Sequence, residues 1–147
     1  MAPADVRFDV RIARAADAAA MHLVRGNVRE NRLADPQQIT EATYLPFIEA
    51  GTAWVAETEI GVVSFGVLDA PAKRVWALFI DPDAEGAGIG LALHHQMLAW
   101  SQEHGLDRLT LSTERGTRAA RFYERAGWRE AGVHGDGELL FEMVILT

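Results

Sequence analysis

Cysteine is missing from this 147-residue chain, and its absence removes three kinds of chemistry. Disulfide bonds, thiolate metal sites and a cysteine nucleophile are all excluded. A chain of this length buries enough surface to fold without such staples, so residues 1–147 are interpreted as a single domain. The lack of cysteine also suits a reducing compartment, and we predict a cytoplasmic location.

Long apolar runs are missing as well. No stretch approaches the ~20 apolar residues that a membrane-spanning helix needs. Residues 1–10 are interrupted by Asp5, Arg7 and Asp9, unlike the apolar centre of a signal peptide. The sequence therefore predicts no membrane partner.

Basic clusters are also lacking. Lysine and arginine total 14 against 21 acidic residues, a formal net charge of -7. A duplex nucleic-acid binder usually presents a basic face, so no nucleic-acid partner is predicted. A net negative field favours cationic or neutral substrates over polyanions.

Two further catalytic patterns are absent. His94 and His95 are adjacent, so on a helix their side chains diverge by about 100° and do not share a metal easily. The serine-hydrolase elbow fails, because Ser64 lies mid-strand with the wrong glycine spacing. We predict neither a metal site nor a serine nucleophile.

What is present is a regular alternation of apolar patterns that predicts seven strands and four helices. The strands are predicted at residues 8–12, 54–57, 61–68, 74–80, 109–112, 128–133 and 139–146. The helices are predicted at residues 17–28, 36–50, 88–104 and 117–126, with a loop or broken helix over the polar stretch 25–36. This order predicts a mixed α/β or α+β fold, in which helices cover the faces of a single sheet.

The most informative segment is Glu-Gly-Ala-Gly-Ile-Gly at residues 85–90, between an apolar strand and a helix. A helix N-terminus leaves backbone N–H groups free and carries a partial positive charge. Glycines let several of these N–H groups converge on one phosphate without any lysine or arginine. The alternative is a ligand-free strand-to-helix turn. These residues match neither the dinucleotide-binding fingerprint nor the Walker loop.

Three segments together resemble the GNAT superfamily of acetyl-CoA-dependent N-acetyltransferases. Residues 75–82 (Val-Trp-Ala-Leu-Phe-Ile-Asp-Pro) look like its fourth strand, and residues 85–90 look like its pyrophosphate loop. Residues 119–128 (Ala-Ala-Arg-Phe-Tyr-Glu-Arg-Ala-Gly-Trp) look like its tyrosine signature. The resemblance implies a mixed, mostly antiparallel sheet of about seven strands, splayed between strands four and five and flanked by about four helices.

The resemblance also implies roles in binding acetyl-CoA as co-substrate, without a metal. Backbone groups of Leu78, Phe79 and Ile80 would pair with the pantetheine arm like an added strand. One of these N–H groups, in a β-bulge, would polarise the thioester carbonyl. The pyrophosphate would be held by backbone N–H groups of Gly86, Ala87, Gly88, Ile89, Gly90 and Leu91.

Tyr123 is implied to protonate the departing thiolate of coenzyme A, a role that a phenol can fill. Its alternative is a core aromatic residue whose hydroxyl is bonded to backbone. The acceptor is expected to be a small-molecule amine, or the N-terminus or a lysine of a protein. A homodimer is also plausible by analogy with the family.

The chain departs from the family pattern at three places. Glu85 opens the loop in place of glutamine or arginine, and Gly116 replaces an asparagine, whose contact Thr113 or Thr117 could supply. The positions of the family's usual base carry Arg74 and Leu111. Other groups with suitable chemistry are Glu30, Glu57, Glu114 and His134, none of which is assigned as the base.

The acceptor is expected beside the first helices, where Arg29, Glu30 and Asn31 are the nearest polar groups. Because of the departures from the family pattern, a second function stays open. It is a non-catalytic module that binds coenzyme A as a sensor or interaction partner.

Overall fold

The computed structural model describes residues 7–28, 39–133 and 137–145. The described residues form seven strands: β1 (Asp9–Ile12), β2 (Ala53–Thr58), β3 (Gly61–Asp69), β4 (Arg74–Ile80), β5 (Arg108–Thr113), β6 (Arg129–Val133) and β7 (Leu139–Val144). They also form four α-helices: α1 (Ala18–Asn27), α2 (Glu41–Glu49), α3 (Ile89–Glu103) and α4 (Arg118–Arg125). The predicted element order is confirmed. The predicted start of the second helix at Pro36 lies outside the described residues.

The strands form one sheet in the order β1-β2-β3-β4-β5-β7-β6. Every neighbouring pair is antiparallel except β4 and β5, which run parallel and pair at Arg74 and Thr110. The N–H of Thr110 donates to the carbonyl of Lys73 at 2.9 Å. From there to the end of β4 the described residues give no further β4–β5 pairing, so the two strands diverge. The predicted splay between strands four and five is confirmed.

A β-bulge in β4 controls which side chains face each side of the sheet. Opposite β3, the register shifts between Leu68↔Val75 and Val67↔Ala77, so Trp76 is the extra residue. Consecutive side chains of a strand normally alternate between faces, but an inserted residue breaks the alternation. Trp76 and Ala77 consequently lie on the same side of the sheet.

Each face of the sheet has its own apolar core. On one face α1 and α2 bury Met21, Val24 and Tyr44 against β2, β3 and β4. On the other face α3 buries Ile89, Leu93 and Met97, at a helical spacing of four residues, together with apolar side chains of α4, β5 and β7. β4 contributes to both cores, and this explains its near-continuous apolar sequence.

Within the described ranges, no helix has both the length and the apolar character needed to cross a membrane.

Candidate active site

The edge of β4 that faces the splay is the first part of the candidate site. The N–H of Asp81 donates to Val63 of β3 at 2.8 Å, and the Ser64 hydroxyl donates to the carbonyl of Phe79 at 2.7 Å. Backbone groups of successive strand residues point to opposite edges. The backbone of Phe79 therefore faces β3, and the backbone groups of Leu78 and Ile80 face the cleft between β4 and β5.

One sequence-based expectation needs correction here. The bulge predicted within residues 78–80 is wrong, since the register from Ala77 to Ile80 is continuous and the bulge lies at Trp76. The carbonyl of Phe79 is directed to β3, and the pairing of Phe79 with the pantetheine arm stays a prediction. Leu78 and Ile80 remain as the cleft-facing backbone groups.

The glycine-rich loop is the second part. Asp81 caps a short 3-10 helix, Pro82–Ala84, by accepting from the N–H of Asp83 at 3.0 Å. Gly86 and Gly88 then adopt positive φ values of 87° and 81°, which glycine adopts at no steric cost. Helix α3 starts at Ile89, and its first helical bond runs from the N–H of Ala92 to the carbonyl of Gly88. The N–H groups of residues 89–91 therefore have no partner within the helix.

The small size of Gly90 allows the glycine-rich loop to lie close to β4. A Cβ added at Gly90 would lie 2.8 Å from Cδ1 of Ile80 and 3.6 Å from Phe122. The small residue lets the first turn of α3 approach both β4 and α4. The loop, the cleft edge of β4 and the tyrosine-bearing helix are consequently brought together at one place.

Glu85, the residue that departs from the family pattern, forms an ion pair with Arg118 at the start of α4. Its carboxylate is thus engaged by a guanidinium from the neighbouring helix. The two side chains link the glycine-rich loop to α4.

Tyr123 lies in the core between α4 and the sheet. Its ring contacts Phe122, Trp128 and Phe141, with centroid distances of 5.3, 5.6 and 6.2 Å. Burial raises the pKa of the Tyr123 phenol well above its ordinary value of 10, so the group keeps its proton at neutral pH. Among the described residues, no backbone or side-chain group forms a hydrogen bond with its hydroxyl. The side chain lies in the hydrophobic core, and its role as general acid stays a prediction.

The backbone conformation of the turn before α4 explains why residue 116 is a glycine. Gly116 has φ 72°, a conformation that glycine and asparagine tolerate best. Thr117 is the N-cap of α4: its hydroxyl accepts from the N–H of Ala120 at 3.1 Å and donates to the carbonyl of Glu114 at 2.9 Å. Thr117 is therefore occupied in capping, and Thr113 is buried.

A buried histidine joins α3 to the segment after α4. Trp128 Nε1 donates to Nε2 of His94 at 2.8 Å, so the neutral ring carries its proton on Nδ1. That Nδ1 is buried and has no hydrogen-bond partner among the described residues. Burial, together with the neighbouring His95, lowers the pKa of His94 from 6.5 to about 4.

We expect His94 to make the fold acid-sensitive. The unfolded chain takes up this proton as pH falls through 6.5, whereas the folded protein does so near pH 4. Stability present above pH 6.5 is therefore lost as pH falls toward 4. His94→Gln, whose amide oxygen can still accept from Trp128, should remove about 3 kcal/mol of the acid-induced loss in unfolding free energy.

Urea unfolding at neutral pH and near pH 4 checks this expectation. His95→Gln, at the exposed neighbouring position, is the control and should follow the wild type. An unchanged pH dependence in His94→Gln would contradict the assignment.

A cavity of about 150 Å³ lies on the α1/α2 side of β4. Its walls combine two arginines with aromatic and apolar side chains: Arg25, Ile39, Tyr44, Phe65, Arg74, Trp76, Ala77 and Phe79. Arg25 was predicted to lie where the first helix gives way to a loop or broken helix, and it lies within α1. The useful signal was its position four residues after buried Met21, on the inward-facing stripe of the helix.

The other groups considered as bases are located as follows. Glu57 lies 3.6 Å from Arg11, at the far edge of the sheet. Burial lowers the pKa of Arg25, and Glu114, which follows β5, lies near enough to oppose this shift. Arg29, Glu30, Asn31 and His134 lie outside the described residues. No group of three or more potential metal ligands occurs in residues 7–28, 39–133 and 137–145.

Solved structures share this fold over nearly the whole chain. Ard1 from Thermoplasma volcanium matches with a TM-score of 0.81, 18% identity and coverage of 97% of this chain and 100% of that one. A structure of yncA, a putative acetyltransferase from Salmonella typhimurium with its cofactor acetyl-CoA, matches with a TM-score of 0.77 and 17% identity, covering 96% and 95% of the two chains. The architecture is that of the GNAT fold.

A family model described as Acetyltransferase (GNAT) domain matches residues 49–130, more than half of the chain. The protein therefore belongs to the GNAT acetyltransferase family.

Two curated relatives are mycothiol acetyltransferases. The one from Sanguibacter keddieii is 32% identical over 128 residues, which is 80% of this chain and 39% of the relative. The one from Beutenbergia cavernae is 36% identical over 69 residues, which is 46% of this chain and 23% of the relative. The chain thus spans less than half the length of these relatives.

Proposed function

We propose that the protein transfers an acetyl group from acetyl-CoA to a primary amine by direct attack in a ternary complex. The observation that carries this proposal is the convergence of three parts at Gly90: the cleft edge of β4, the glycine-rich N-terminus of α3, and helix α4, which bears Tyr123. Family membership supports the general activity, and the yncA structure is described with acetyl-CoA.

The glycine-rich loop suits the pyrophosphate of coenzyme A. The N–H groups at the start of α3 can donate to phosphate oxygens, and the helix dipole favours negative charge there. Gly86, Gly88 and Gly90 place no Cβ between the ligand and the backbone. Glu85 opposes this arrangement only weakly, because its carboxylate is paired with Arg118.

The cleft edge of β4 suits the pantetheine arm and the thioester. Leu78 and Ile80 present backbone donors and acceptors to a chain that lies alongside the strand. An N–H group from this edge would stabilise the oxyanion that develops on the thioester carbonyl.

Tyr123 supplies the proton for the leaving group. The amine nitrogen forms a bond to the acetyl carbon as the carbon–sulfur bond breaks, and the departing thiolate takes the phenolic proton. The excess proton on the attacking nitrogen passes to water, since Arg74 and Leu111 stand where the family's carboxylate base would lie. The Tyr123 phenolate regains a proton from solvent, so the products are the acetylated amine and coenzyme A as the free thiol.

Release of coenzyme A from acetyl-CoA in the presence of an amine panel, followed with a thiol reagent, tests this activity. The panel contains small amines, amino acids, and peptides with a free N-terminus or lysine. Mass spectrometry of the amine should show one added acetyl group. Tight binding of acetyl-CoA without acetylation of any amine would instead favour the second candidate, a coenzyme-A-binding sensor or interaction module, which the departures at Glu85 and Gly116 support.

Three further points stay predictions: that the acceptor is a small-molecule or protein amine, that the protein is cytoplasmic, and that it forms a homodimer.

We expect Glu85→Gln to strengthen acetyl-CoA binding by about two- to fivefold at low salt. The substitution removes a negative charge beside the proposed phosphate site, and charge interactions near a protein surface have about this magnitude. Isothermal titration at low and high salt measures the change, which should shrink as salt rises. Glu103→Gln, the same charge change at the other end of α3, is the control. Weaker binding by Glu85→Gln would mean that its ion pair is needed to position the loop.

A further inference from the structure

The cavity on the α1/α2 side of β4 concentrates positive charge in a protein whose net charge is -7. Two of its lining residues are arginines, and both guanidinium groups stay charged. Two like charges on one small cavity repel each other. The charge of Glu114 acts on Arg25, but Glu114 does not line the cavity, so the lining itself carries an excess of positive charge.

Two features of the Arg25 guanidinium group suit it to bind an anion. Its guanidinium carbon lies 4.1 Å from the centre of the Phe79 ring, a cation–π contact that favours this position of the group. Its Nη1 is buried and has no hydrogen-bond partner among the described residues. A buried donor without a partner is costly, and a carboxylate in the cavity would satisfy it.

Arg74 lies at the point where β4 and β5 part. It pairs with Thr110 across the strands, and its Nη2 donates to the Ser112 hydroxyl at 3.1 Å. Arg74 lines the same cavity as Arg25. The bulge at Trp76 turns both Trp76 and Ala77 toward this side, so the charged groups share the cavity with an apolar wall.

Resting on the proposed acetyl transfer, we propose that the acceptor amine carries a carboxylate attached to an apolar group, and that Arg25 and Arg74 bind this carboxylate in the cavity. A volume of about 150 Å³ accommodates a group of roughly benzene size. The carboxylate end is anchored by the two arginines, while the amine end reaches the cleft edge of β4. The local charge thus outweighs the overall negative charge in selecting the acceptor.

A binding experiment that needs no turnover tests this inference. Benzoate and benzamide have nearly the same shape and differ in charge. Each is titrated to about 10 mM, a range in which millimolar dissociation constants are measurable, and the indole N–H of Trp76 is followed by NMR, with Trp76→Phe identifying its signal. We expect benzoate to bind about tenfold or more tightly than benzamide, as charge-assisted hydrogen bonds require.

The variants separate charge from structure. Arg25→Gln should abolish the preference for benzoate and leave acetyl-CoA affinity unchanged, whereas Arg25→Lys, which keeps the charge, should retain part of the preference. Arg125→Gln removes an exposed arginine that does not line the cavity and should match the wild type. Equal binding of the two probes, no shift of the Trp76 signal, or lost acetyl-CoA binding in Arg25→Gln would each overturn the proposal.

A turnover experiment extends the test to the reaction. Para-(aminomethyl)benzoate and para-(aminomethyl)benzamide add an amine to the same two probes. The carboxylate should have the higher kcat/KM, and Arg25→Gln should remove that advantage mainly through KM. A higher kcat/KM for the amide in the wild type would contradict the inference. If acetyl-CoA failed to bind at all, the proposed function would fall, while the benzoate preference would still be measured independently.

Discussion

Gly88→Val is expected to weaken acetyl-CoA binding by about a hundredfold or more, because at least two charge-assisted hydrogen bonds to phosphate, each worth ~1.5–3 kcal/mol, would be lost. Gly88 has φ 81° at the N-cap of α3. A β-branched residue is strained in that conformation and places methyl groups where the phosphate would approach. Isothermal titration measures the affinity.

The substitution must be separated from a general loss of stability. A Cβ at Gly88 meets no atom within 4 Å, so the cost to folding is backbone strain of about 1–3 kcal/mol. Gly105 offers a matched control, since it follows the other end of α3 with φ 74° and equally open space. Gly105→Val should lose similar unfolding free energy and keep its acetyl-CoA affinity. Equal affinity losses in both variants would show that the loop acts through stability alone.

Tyr123→Phe is expected to lower kcat by about a hundredfold, the low end of the range for general acid catalysis. The variant removes the phenolic proton and keeps the ring that packs on Trp128 and Phe141. No described group forms a hydrogen bond with the hydroxyl, so its removal leaves no described donor or acceptor unsatisfied. The unfolding free energy should therefore change by less than about 1 kcal/mol.

Steady-state kinetics and titration together identify the role of Tyr123. Affinity for acetyl-CoA should stay within about twofold of the wild type, so that the defect appears in kcat and not in binding. Since burial raises the pKa of Tyr123, its ionisation should not limit activity on the alkaline side near neutral pH. Unchanged kcat in Tyr123→Phe would return the residue to a purely structural role.

Much of the fold could be predicted from local sequence patterns. The alternation in β1, the apolar run of β4 and the glycine that follows α3 are each set by residues close together in the chain. The glycine-rich segment at residues 85–90 was recognisable for the same reason. Its positive φ values at Gly86 and Gly88 are what closely spaced glycines permit.

Features that depend on pairing between distant segments could not be predicted in detail. The bulge at Trp76 follows from how β4 meets β3, and a strand sequence alone does not reveal where the extra residue lies. The direction of the Phe79 backbone depends on that register. The ion pair of Glu85 with Arg118 and the hydrogen bond of Trp128 to His94 each join residues more than 30 positions apart.

The arginine cavity illustrates the same limit for function. Net charge argues for a cationic or neutral substrate, whereas Arg25 and Arg74 create a local site of the opposite preference. Arg25 could be placed on the inward stripe of α1 by its spacing of four residues from Met21. Arg74 lies 49 positions away, and the two arginines come to line one cavity when the sheet and the helices are assembled.

Isothermal titration of the purified protein with acetyl-CoA, alongside coenzyme A and ATP, tests the central claim most directly. The account predicts micromolar binding of acetyl-CoA that ATP does not match, because the cleft edge of β4 recognises the pantetheine arm in addition to the phosphates. Absence of binding, or equal binding of ATP, would contradict the account and reduce the glycine-rich loop to a turn between a strand and a helix.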